Sequence, residues 1–140
     1  MIDILNKFCL VISIIFVFAF IINPSWHKIF RNKKTYNFFL YFSILLSILS
    51  FTTLFWKFEN PRISVSVTLY PVLFLILYKF FDDKILKKYN RHIFFYKQYN
   101  TIWKDEESDN ATSTDKWYQL LIGLVPLIIL YVIGLVIFQT

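Results

Sequence analysis

The sequence predicts an all-α fold: an oligomeric four-helix transmembrane bundle with a helical cytoplasmic extension after the third helix. Three observations predict it. Four apolar stretches, Leu5–Ile22, Phe38–Trp56, Ile63–Phe81 and Trp117–Phe138, each approach the ~20 helical residues that cross a ~30 Å bilayer core. The chain has only two glycines, Gly123 and Gly134, so helices one to three carry none of the flexibility that glycine brings. Lys and Arg collect in alternate loops, the pattern of a polytopic membrane protein. A helix pairs its own backbone polar groups, which is what the bilayer interior demands. The 140 residues suit one domain, and the polar segment 82–116 is too short for a core of its own.

Helix one, 5–22, ends near Asn23-Pro24, because the residue before proline avoids the helical region. It reads as a retained helix and not a signal peptide. Lys7 is offset by Asp3, and Asn23-Pro24-Ser25-Trp26 offers no small-residue cleavage site. Its Cys9 is the only cysteine and reads as a small buried hydrophobe, so disulfides within the chain and Cys-x-x-Cys redox chemistry are excluded.

A short basic loop, 23–37, leads to helix two, 38–56. Glu59-Asn60-Pro61 reads as a tight turn. Helix three, 63–81, opens with Ser64, Ser66 and Thr68 alternating with Ile63, Val65 and Val67, a strand-like pattern in isolation. The total apolar length favours a helix, with Pro71 a candidate kink. From Asp82 towards Lys104 no proline or glycine intervenes, and the spacing predicts that the helix continues. Residues 105–115 are acidic and polar and read as a flexible loop. Helix four, 117–138, follows, with Asp115 as its cap and Pro126 within it.

Eleven of the 15 basic residues lie in the loops after helices one and three, against Lys7, Lys57 and Arg62 on the opposite side. This places loops 23–37 and 82–116 in the cytoplasm and both termini outside. Trp26, Tyr36, Trp56, Trp117 and Tyr118 sit at predicted helix ends, where amphipathic rings meet the interface. The sequon Asn110-Ala111-Thr112 would then be cytoplasmic and silent.

Two features could carry function. Tyr36, Ser43, Ser47, Ser50, Thr53 and Lys57 share one face of helix two. Such a stripe either packs against a neighbouring helix, as small residues allow, or lines a pore through Ser43, Ser47, Ser50 and Thr53. The second feature is the basic-aromatic run Lys84, Lys87, Lys88, Tyr89, Arg91, Tyr96, Lys97 and Trp103. Its cations suit the phosphates of the anionic inner leaflet. They equally suit an oligonucleotide or nucleotide ligand whose bases stack on the rings, or a protein partner.

The middle of each apolar run lacks ionisable residues, which argues against coupled transport. Asp82 and Asp83, adjacent on a helix, face different ways and predict no metal site, and His27 and His92 read as isolated interfacial residues. No catalytic or cofactor motif is present, so neither an enzyme nor a cofactor is expected.

Several small four-helix families are excluded on residues that do their chemistry. Helix one lacks the glutamate of small multidrug transporters, the cysteine pairs of quinone-linked disulfide oxidases are missing, and so are the glycine-rich motifs of fluoride channels. In helix count and basic inner segment, though in no motif, the chain resembles the small multi-pass membrane effectors of bacterial anti-phage defence systems, such as channel-like effectors paired with a nucleotidyltransferase. The resemblance implies a homo-oligomeric pore in the bacterial inner membrane, gated by a nucleotide or oligonucleotide at the basic-aromatic segment. The alternative is a non-conducting anchor or interaction subunit for a cytoplasmic partner enzyme. A membrane enzyme acting on lipid is the weakest reading, since Asp82, Asp83 and His92 lack convergent spacing.

Overall fold

A computed structural model of the chain describes residues 2–52, 61–97 and 106–138. The element order is α1 (Ile2–Ile22), a 3-10 helix (Pro24–Arg31), α2 (Lys33–Thr52), α3 (Pro61–Tyr89), α4 (Glu106–Asp109) and α5 (Ser113–Phe138). The all-α class therefore holds for the described residues, with no strand among them. Helix α3 is the hub, packing against α1, α2 and α5.

The four expected spans become two. Among the described residues, Lys33–Thr52 and Ser113–Val136 are long and apolar enough to cross a membrane, and a shorter apolar stretch covers Lys7–Ala19. Helix α3 contributes no such stretch among its described side chains, which begin at Val67 and include Lys79, Asp82, Asp83 and Lys84. Only 28% and 17% of the most apolar segments of the two qualifying helices are buried within the chain, so their apolar surfaces face outward, unlike the core helix of a water-soluble protein. On α5, Leu124, Leu127, Ile128, Tyr131, Val132 and Val136 are all exposed.

The helix ends depart from expectation for local reasons. Loop 23–37 is not a loop. Asn23 caps the 3-10 helix by accepting from Ser25 N at 3.2 Å, and Asn32 caps α2 by accepting from Lys34 N at 2.9 Å, so α2 starts five residues before Phe38. Thr112, not Asp115, is the N-cap of α5. The Thr112 N–H and hydroxyl both donate to Asp115, and Asp115 N–H returns a bond to the Thr112 hydroxyl at 3.4 Å, a reciprocal capping box. The acidic stretch contains one helical turn, α4. The expected turn at Glu59-Asn60-Pro61 begins outside the described residues, as does the expected end of helix two at Trp56.

The largest departure is the end of α3. The helix does continue past Phe81, but only to Tyr89. Asn90 adopts a left-handed φ of 52°, and its N–H donates to the Leu86 carbonyl at 3.0 Å, the bond that closes a left-handed helix cap. Beyond it the chain from His92 to Lys97 has no regular secondary structure. Asparagine tolerates this conformation where a β-carbon-bearing apolar residue does not. Asn90→Ala is expected to lower stability by ~1 kcal/mol and Asn90→Gly to leave it nearly unchanged, read from unfolding in mild detergent.

The core runs along α3 through Tyr70, Phe74, Leu75, Tyr78, Phe81 and Ile85, and collects Phe30, Ile93, Phe95 and Ile122 from the other elements. Cys9 is buried, as expected. Tyr36 is not interfacial; it is buried, and its hydroxyl donates to the Leu75 carbonyl at 3.1 Å. Trp26 and Trp117 are half or more exposed, consistent with interfacial rings.

Candidate functional site: a polar cap and a basic face

One end of the bundle is closed by the segment Arg91–Lys97, which has no strand partner among the described residues. A backbone without a ladder must find other partners when it is buried. Here side chains supply them. Asp82 of α3 accepts from Ile93 N at 2.9 Å and from His92 Nδ1 at 2.9 Å. The Ile93 carbonyl accepts from Arg31 at 3.1 Å and from His27 Nε2 at 3.3 Å, both on the 3-10 helix. Asp115 of α5 accepts from Phe94 N at 3.3 Å. Gln119 brackets Tyr96, accepting from its N–H at 2.7 Å and donating to its carbonyl at 3.1 Å. Ser108 of α4 accepts from Lys97 N at 2.7 Å. Four helical elements thus grip one extended strap.

Two ion pairs lock the cap. Arg91 reaches both oxygens of Asp115, at 3.2 and 2.8 Å, and Asp115 is fully buried. Arg31 forms a second fork with Glu107 at 2.9 and 2.6 Å. Burial works against the charged Arg31, but the Glu107 bonds and charge outweigh it and hold the guanidinium above its ordinary pKa. Lys28 lies 3.8 Å from the same carboxylate. His27 is buried and stacks on Phe95, with ring centroids 4.2 Å apart. Neither histidine is isolated, contrary to expectation: both hold the strap. Asp82 and Asp83 do face different ways, Asp82 into the strap and Asp83 to Lys79.

The expected ligand set therefore divides. Arg91 belongs to the cap, and its guanidinium also lies 4.2 Å from the Phe94 ring centre. The Tyr96 ring is covered by Lys116 at 4.1 Å, and Tyr89 by Lys88 at 5.1 Å. Lys97 is part of the strap. Trp103 lies outside the described residues. What stands out on the surface is Lys84, Lys87 and Lys88, spaced along one exposed face of the last turns of α3. Lys84 sits against the rings of Phe80 and Tyr118, at 5.7 and 5.9 Å.

The serine stripe is brought together too, but inside the protomer. Ser43, Ser47 and Ser50 are buried. The Ser47 hydroxyl lies 2.9 Å from the Thr68 carbonyl of α3 and 2.9 Å from the Ser43 carbonyl of its own helix. The stripe thus forms a seam between α2 and α3. Thr53 lies outside the described residues.

Sequence reasoning missed Asp82, Ser108, Gln119, His27 and Arg31 as partners of the strap, and Glu107 as the partner of Arg31. One signal was available: Thr112-x-x-Asp115 ahead of an apolar run is the pattern of a capping box, and it marks the start of α5. Among the described residues no cluster of His, Cys, Asp and Glu suits a metal ion. No protein-family model matches the chain, and no significant similarity to a curated protein or a solved structure is found.

Proposed function

We propose that the chain is a multi-pass protein of the bacterial inner membrane that serves as a non-conducting anchor, holding a cytoplasmic partner through the basic face Lys84, Lys87 and Lys88. The exposure of these three lysines on a helix end fixed by the cap carries this reading. A rigid platform lowers the ordering cost of binding. Tyr89 and Tyr96 already have the chain's own cations against their rings, which leaves them poorly placed to stack on bases. The face therefore suits the carboxylates of an acidic protein surface better than an oligonucleotide. Lys84, nearest the apolar part of α3, suits the phosphates of the inner leaflet.

The second reading is the oligomeric pore with a nucleotide-gated cytoplasmic segment, in anti-phage defence, as the resemblance implies. The line of hydroxyls on α2 favours it. It requires the α2–α3 seam to open, separating Ser47 from Thr68. Ion flux from liposomes holding the purified protein, with and without short single-stranded oligonucleotides, separates the two. The anchor reading expects no flux in either condition. Flux that responds to oligonucleotide, and disappears in Ser47→Leu/Ser50→Leu, would replace it with the pore. The anchor reading further expects a photo-crosslinker at position 87 to join a soluble protein. That adduct should weaken about tenfold in Lys84→Glu/Lys88→Glu, a change worth ~1.4 kcal/mol.

A further inference from the structure

Between α1 and α2 the bundle leaves a cleft of about 370 Å³, partly open to the outside. Phe16 and Ala19 of α1 form one wall, Phe39 and Phe42 of α2 the other, and Pro71 of α3 also lines it. Trp26 lines it from the 3-10 helix. The space is more than twice the ~150 Å³ apolar cavity that holds a benzene, and lies in the ~300–1,000 Å³ range of small-molecule sites. Among the described residues no charged side chain lines it. Of its two serines, Ser13 has its hydroxyl engaged with the Cys9 carbonyl at 2.9 Å. A polar metabolite would lose its hydration there without recovering hydrogen bonds.

We infer that the cleft holds one acyl chain of a membrane phospholipid as a resident ligand. The inference rests on the membrane reading given above. At the depth of the apolar helices the surrounding medium is hydrocarbon, and a groove this size left empty forfeits packing contacts in proportion to its volume. One end of the cleft carries the features of a headgroup level. Trp26 is half exposed there, and Lys33 and Lys34 are exposed on the first turn of α2, just ahead of Phe39. The chain therefore offers hydrocarbon walls for the tail and cations near the phosphate, a complement that fits a phospholipid and not a second copy of this basic chain.

The test extracts the full-length protein from membranes in mild detergent, exchanges the detergent, and measures phospholipid per chain by mass spectrometry. Ala19→Phe fills the cleft, and Val132→Phe, on the exposed face of α5, is the control. The expected result is about one phospholipid per chain in the wild type and in Val132→Phe, and about tenfold less in Ala19→Phe at unchanged helix content. If Ala19→Phe loses helix content, Phe42→Trp filling the same cleft gives the second reading. Equal lipid in the wild type and the filled variants overturns the inference and leaves the membrane reading standing. A dimer that the filled variants abolish assigns the cleft to a second copy instead. Recovery of the wild type in the soluble fraction overturns the membrane reading and this inference with it.

Discussion

Asp115→Ala is expected to destabilise the protein by about 3–5 kcal/mol, more than any other single change at the cap. The carboxylate is fully buried and accepts from Arg91 twice, from the Thr112 N–H and hydroxyl, and from Phe94 N. Its removal strands a guanidinium and breaks the capping box in one step, and leaving a partly buried charge without its partner is the costlier part. Loss of midpoint in thermal unfolding in detergent would measure it. Adding Arg91→Met to Asp115→Ala is expected to cost little further, because the uncompensated charge leaves as well. Strictly additive losses would show that the two residues do not act as a pair.

Arg31→Ala is expected to cost about 2–3 kcal/mol and to free α4 from the 3-10 helix. Arg31 ties three elements through the Glu107 carboxylate and the Ile93 carbonyl. Lys28, at 3.8 Å from Glu107, carries a single ammonium on a flexible stem and does not restore a planar two-bond fork. Hydrogen exchange should therefore speed up in residues 106–109 and in the strap, while the middle of α3 stays protected. Exchange that rises evenly along the chain would mean that Arg31 supports global stability and not this docking.

The parts of the fold that sequence reveals are those built from local pattern. The apolar runs located α1, α2, α3 and α5, and total apolar length correctly outweighed the strand-like alternation from Ile63 to Thr68. The strap was illegible for a definite reason. Nothing in residues 90–104 breaks a helix by composition, and only Asn90 hints at a left-handed turn. What straightens the chain is a set of side chains from His27, Arg31, Asp82, Ser108, Asp115 and Gln119, remote in sequence and convergent only in space.

The site was legible in the same proportion. Helical spacing alone placed Lys84, Lys87 and Lys88 on one face. The same spacing placed Arg91 with them, and there it misled, because an ion pair with a residue 24 positions away took that side chain into the cap. The serine stripe was recognised as a face, but a periodicity does not name its neighbour. The Thr68 carbonyl does.

The bundle is proposed to lie in a membrane with the cap and its lysine face on the cytoplasmic side. This placement is tested most directly by labelling Lys87→Cys with a membrane-impermeant maleimide. Cys9→Ser serves as the background, since Cys9 is the only native cysteine. No labelling is expected in intact cells and full labelling in inside-out vesicles, with the protein in the membrane fraction. Labelling of intact cells, or recovery of the protein in the soluble fraction, would contradict it.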